Sequence, residues 1–132
     1  MKKFRVPAAL LLLLAILVLS FSVGRRPFRK LAPGDIVSAS VQLIPPDRTL
    51  PVPDAAELAQ LLQEQVVYRR DSSYTTYAGQ AVIFTLELAD GTTRQVMAYN
   101  PFLVIDGVGY RCKYEPCEAL NHYANGLLRN AS

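Results

Sequence analysis

The chain opens on a run with no polar face at all. Val6 to Gly24 reads VPAALLLLLAILVLSFSVG, nineteen positions without a charged side chain. As one helix it would rise about 28 Å, close to the hydrocarbon thickness of a bilayer. Apolar and polar positions alternate only after Gly34. From Ile36 to Leu43, Val37, Ala39, Val41 and Leu43 share one face and Ser38, Ser40 and Gln42 the other, the period of a half-buried strand. Ile44-Pro45-Pro46-Asp47 ends the strand, because proline donates nothing to a ladder, and Asp47 to Pro53 reads as a loop. Asp54-Ala-Ala-Glu57 then has the spacing of a capping box. Leu58, Leu61, Leu62 and Val66 follow at i, i+3, i+4 and i+8. They form one apolar stripe on a helix from about Ala55 to Val67, with Gln60, Gln63 and Glu64 outside.

Tyr68 to Gly79 (YRRDSSYTTYAG) shows no period and suits a strand, a loop or part of each. Alternation returns over Gln80 to Ala89, with Val82, Phe84, Leu86 and Leu88 on one face. Asp90-Gly91 is a hairpin signal and Thr93 to Tyr99 the returning strand. Asn100-Pro101 is a second turn and Phe102 to Ile105 a third strand. Asp106-Gly107 is a second hairpin signal, leading into a fourth strand from Val108 to Lys113. Glu115-Pro116 opens a last helix, where proline's missing amide costs nothing, and Cys117, Leu120, Ala124, Leu127 and Leu128 face one side. The predicted order is strand, helix, four-strand antiparallel meander, helix. Strands in runs with helices set apart predict an α+β domain, its sheet covered on one face by the first helix. The expected organisation is a hydrophobic segment over 1–24, a basic linker over 25–33 and a single domain over 34–132.

Charge is distributed unevenly. The formal +3 of the 132-residue chain comes from the flanks of the apolar run: Lys2, Lys3 and Arg5 before it, and Arg25, Arg26, Arg29 and Lys30 after it. From Leu31 onward seven basic residues face eleven acidic ones, a net charge of −4. A nucleic-acid reading needs a basic face on the domain itself, and none is present. The flanks suit a membrane surface, where anionic lipids attract such residues by about 1 kcal/mol each. Residues 6–24 are long enough to remain as a signal anchor, with the domain outside the membrane. Ser22-Val23-Gly24 also offers small residues for signal cleavage and secretion. The linker RRPFRKLAP, with two prolines, is expected to be extended and to face solvent or headgroups.

The chemistry on offer is sparse. Cys112 and Cys117 are the two cysteines, with four residues between them, and outside the cytoplasm such a pair is expected to oxidise. With His122 they form C-x4-C-x4-H, which matches no common zinc pattern. Cys117 and His122 lie about 140° apart on one helix. His122 is the single histidine, so only Cys112 could use it as a base, and an outer position on the last helix is the plainer reading. No phosphate loop, dinucleotide fingerprint or hydrolase motif is present. Asp47, Asp90 and Asp106 fall in turns, where aspartate serves local hydrogen bonds. The expectation is therefore no enzyme, no metal and no cofactor. Tyr68, Tyr74 and Tyr77, among serine, threonine and glycine, have the make-up of an adaptable contact surface, although tyrosine is equally at home in half-buried strands.

Certain positions also carry a resemblance. Asp35-Ile36, then Leu58, Leu61 and Leu62, then Asp90-Gly91, Ile105-Asp106-Gly107 and Tyr110 together resemble a poorly characterised extracytoplasmic domain of Gram-positive bacteria. Such domains stand alone behind a membrane segment or are appended to antibiotic-sensing membrane metallopeptidases. The matched stretch covers most of Asp35 to Tyr110. The resemblance implies export and a sensor-like or accessory role. It transfers no catalytic residue and does not include the cysteines. The strand–helix–meander order is also similar to a cystatin-like arrangement. Gln95-Val96-Met97-Ala98, however, lacks the glycine of an inhibitory Q-x-V-x-G hairpin. The expected function is a membrane-anchored or secreted binding or sensing domain for a protein or cell-envelope ligand. The alternatives are a structural or inhibitory subunit of a membrane complex, and a small exported thiol enzyme using Cys112 and His122.

Overall fold

A computed structural model describes residues 8–22 and 24–131; the predicted basic start, Met1 to Arg5, lies outside the described residues. The fold is α+β, one antiparallel sheet with helices on one face. The elements are α1 (Ala8–Ser22), β1 (Ile36–Ile44), β2 (Arg48–Pro51), α2 (Ala55–Gln63), β3 (Val67–Arg70), β4 (Ala81–Leu88), β5 (Thr93–Tyr99), β6 (Phe102–Ile105), β7 (Val108–Cys112) and α3 (Tyr114–Asn130). The seven strands lie in the order β2-β1-β4-β5-β6-β7-β3. The predicted meander is thus the centre of the sheet. Two strands join it from segments expected to be irregular: β2 from the proline-rich loop, and β3 from the start of the tyrosine-rich segment.

Turn chemistry fixes the meander. Asp106 and Gly107 both have positive φ, 49° and 85°, the backbone that a two-residue hairpin demands. The Asp106 carboxylate accepts from the Gln95 amide at 2.9 Å and from Arg94 Nε at 2.6 Å, so the turn is tied to β5. Asp90 accepts from the amide and hydroxyl of Thr92, which hold its carboxyl below the usual range. Directly opposed residues carry the core face across the sheet. Val41, Phe84, Val96 and Ile105 form one such row, and Leu43, Val82, Ala98 and Leu103 the next. Leu58, Ala59 and Leu62 of α2, with Cys117, Leu120 and Ala124 of α3, cover these rows. Both helices therefore cover the face, where the sequence suggested the first alone.

The predicted elements are corrected in three places. The alternation assigned Val37 to the core face, but a bulge between Ile36 and Ser38 turns it outward, 70% exposed, and buries Ile36 instead. The first helix stops at Gln63. Gln65 then turns into the interior, where its amide donates to the carbonyls of Leu61 and Pro116, so Val66 leads into β3. The linker does not stand off the domain. Phe28 is 4% exposed, packed in the core edge with the Arg94 guanidinium over its ring. Arg25 exchanges two backbone hydrogen bonds of 2.9 Å with Val67. Arg26 Nε donates to Gln63 O, and Gln63 in turn to Leu31 O. Gly24 sits so close to Val66 and the Tyr68 ring that a Cβ would collide with both.

The helix α1 covers part of the predicted hydrophobic segment, and Leu10 to Leu14 are exposed along it. Among the described residues no helix is long and apolar enough to cross a membrane.

Candidate contact face

Beyond Arg70 the chain leaves the sheet edge and folds over the outer face, away from the helices. The Asp71 amide donates to Gly109 O at 2.9 Å, continuing the run beside β7. The Asp71 carboxylate accepts from the Ser73 amide at 2.9 Å and so starts a short 3-10 turn, Ser73–Thr76. Hydroxyls of Thr75 and Thr76 donate to Ser72 O and Ser73 O and close that turn. Tyr74 then lies over Gly109. A Cβ there would come within 2.5 Å of Asp71 O and 2.6 Å of the Tyr74 ring. Tyr74 and Tyr77 both tilt onto Phe102, with ring centroids 6.3 and 5.3 Å from it. This packing explains why all four residues of β6 are buried: Leu103 and Ile105 against the helices, Phe102 and Val104 on the other side.

Arg111 locks the segment down. Its guanidinium lies over the Phe102 ring, 4.7 Å from the centroid, and its Nε donates to the Asp71 carboxylate at 2.9 Å. It also faces the Tyr77 hydroxyl. The hydroxyl and amide of Ser73, then Arg111, hold the Asp71 carboxyl well below the usual carboxylate range, and Asp71 holds the Arg111 guanidinium up in turn.

Two hollows flank the returning end of this segment and share Tyr77, Gly79 and Tyr99. One, of about 260 Å³, continues over Met97 and Ala81 on the sheet. The other, of about 300 Å³, runs onto α3 at Glu118, Asn121 and Asn125, with Gln80 and Asn100 beside them. The two adjoin at Tyr77, Gly79 and Tyr99 and form a divided cleft, one part aromatic and on the sheet, the other rich in amides and against α3. Glu118, Asn121 and Asn125 are one turn apart on the same helix face. A mid-helix asparagine costs about 0.6 kcal/mol against alanine, so two in α3 go against local preference. Gln80 and Asn125 exchange hydrogen bonds of 3.1 and 2.9 Å, and Asn100 donates to Glu118. A larger hollow of about 540 Å³ is formed by Gly24 to Lys30 alone. It is the concave side of one short segment, with no convergence of separate elements.

The predicted site residues are distributed as follows. Tyr74 and Tyr77 come together on Phe102, whereas Tyr68 lies beside Gly24 and lines neither hollow. Cys112, at the end of β7, and Cys117, in the first turn of α3, are neighbours. In this structure the pair is unbonded. Both are free thiols, Cys112 turned toward Asn100 Oδ1 and Cys117 toward Phe102 O. The interaction of the two thiols, aided by Arg111, lowers the Cys112 thiol's pKa, while the same interaction and burial push Cys117 up. The His122 side chain is 75% exposed and lies 3.4 Å from Glu118, so it does not join the buried Cys112. Among the described residues no three of His, Cys, Asp and Glu stand where they could share an ion. Gln95 to Ala98 lies inside the central strand β5, not at a hairpin tip. Tyr99, Gln80, Asn121 and Asn125 were not singled out by sequence. The one signal for them was the pair of asparagines inside an otherwise amphipathic helix. No protein-family model, curated protein or solved structure matches the chain.

Proposed function

We propose that this chain is a non-catalytic binding or sensing module, tethered at the outer face of a membrane, which meets its ligand at the tyrosine-framed cleft. The observation that carries the reading is the fold-over of residues 71–79. All nine lie outside the strands of the sheet, yet an ion pair, an Asx turn and two aromatic contacts fix their position. Tyr77 remains 53% exposed at the cleft while its ring is seated on Phe102. A rigid aromatic side chain gives contact area at small entropic cost. Tethering and export rest on the sequence: nineteen uncharged positions flanked by basic clusters. The sensor-like or accessory role implied by the resemblance agrees with such a module.

Photo-crosslinking in intact cells of the native host tests the reading, with a benzoylphenylalanine placed at position 77 or, as a control, at exposed Glu57 on α2. The expected result is a discrete adduct from 77 and none from 57. No adduct from 77, or the same adducts from both, would count against the cleft as the contact face.

A further inference from the structure

We infer that the cleft takes a neutral, polyhydroxylated ligand, a saccharide of one or two rings lying against Tyr77 and Tyr99; this rests on the cleft being the contact face. The chemistry of the lining is selective. Its polar side consists of amides, with Glu118 as the single carboxylate and no cationic side chain. Arg111 lies below the tyrosines, held by Asp71, Phe102 and the Tyr77 hydroxyl, and lines neither hollow. A phosphate, sulfate or uronate would find no counter-charge here, and burying an unpaired anion is costly. A wholly apolar ligand would cut the Asn121 amide off from water, whereas Gln80 and Asn125 already pair with one another. Sugar hydroxyls both donate and accept, and side-chain amides do the same. The C–H face of a pyranose suits the apolar surface of a tyrosine ring.

The amides are oriented before any ligand arrives. Asn121 Nδ2 donates to Cys117 O at 3.2 Å and Asn125 Nδ2 to Asn121 O at 2.9 Å, while Gln80 and Asn125 brace one another. Hollows of about 260 and 300 Å³ sit at the small end of ligand sites, the size for one ring each. An extended peptide fits less well. It binds a sheet by adding to an edge, and this cleft lies over β4 and β5, whose flanks are both already paired.

Met97 lines the cleft, and the chain's other methionine is Met1, so a 13C-methyl spectrum reports on the site with little overlap. The full chain, in dodecylphosphocholine micelles that contribute no sugar headgroup, is titrated with chitotriose, cellotriose and trialanine. The expected result is a saturable Met97 shift with at least one trisaccharide, at a Kd of about 1 mM or tighter. Tyr77→Ala and Asn121→Ala, each checked for an unchanged melting temperature, should weaken it by about tenfold or more. Neither trisaccharide binding, or binding that ignores both substitutions, overturns the saccharide assignment. If trialanine alone shifts Met97, or if position 77 crosslinks in cells while both sugars fail, the ligand class is wrong and the contact face stands. If both crosslinking and all titrations fail, the contact face falls as well.

Discussion

Asp71 and Arg111 are forty residues apart in the chain, and their side chains meet at 2.9 Å on the outer face of the sheet. That contact decides where the tyrosines go. Asp71 starts the turn that carries Tyr74 and Tyr77, and Arg111 fixes the turn's origin while lying on the ring that both tyrosines cover.

The first prediction concerns acid. The folded-state pKa of Asp71 lies below its ordinary value of 3.8, so its contribution is complete above that pH and is lost as pH falls toward the lower folded value. Amide exchange at residues 73–79 should therefore accelerate as pH is lowered from about 5 to 3, after correction for intrinsic exchange. In Asp71→Asn those amides should exchange faster already at neutral pH and show a weaker acid dependence. Equal protection in the two proteins at pH 7 would remove the carboxylate from this role.

Gly109 offers a steric test. A methyl group there would press on Asp71 O and the Tyr74 ring, both held by other contacts. Gly109→Ala should destabilise the fold by about 1–3 kcal/mol through overpacking. It should also raise the exposure of Tyr74, read by chemical denaturation and by tyrosine fluorescence quenching. A neutral substitution would mean that the segment does not rest on β7.

These contacts also show which parts of the structure were legible in the sequence. Thr93–Tyr99 and Phe102–Ile105 were placed to the residue, because Asp90-Gly91 and Asp106-Gly107 are local signals that fix register at once. Asp54 was likewise readable as the cap of α2, and it accepts from the Glu57 amide at 3.1 Å. Val37 misled, because a bulge is invisible to a strict two-residue period. Phe28 was hidden by four basic neighbours, and its burial depends on Arg94 and on a bridge to Val67, both distant in sequence. The tyrosine segment has no period because its partners, Phe102, Gly109 and Arg111, lie on strands that its own residues do not reveal. Composition pointed to contact surface, but only the fold separates Tyr74 and Tyr77 from Tyr68.

The packed segment after α1 gives a third prediction. Phe28→Ala removes a buried ring at the core edge and should cost about 3–5 kcal/mol. Protease sensitivity should rise at the same time around Arg25 to Lys30, since the bridge to Val67 loses its support. Unchanged stability would return these residues to the status of a free linker.

The cysteines are a fourth test. In reduced protein, iodoacetamide should modify Cys112 before Cys117, because Cys112 ionises more readily and Cys117 is fully buried. In protein from its native host, an exported domain should carry the pair oxidised to each other, two hydrogens lighter by mass spectrometry. Two free thiols in that sample would argue against export. Prior modification of Cys117 would contradict the order of reactivity.

The most direct measurement of the central claim is a hydrogen-exchange footprint. Full-length protein in lipid nanodiscs is compared with and without a soluble extract of its host's cell envelope, digested to release glycan and peptide fragments. The account predicts new protection confined to residues 73–81 and 118–125, the two walls of the cleft, and its loss in Tyr77→Ala. Protection centred on β2, on α2 or on residues 25–31, with the cleft unchanged, would contradict it.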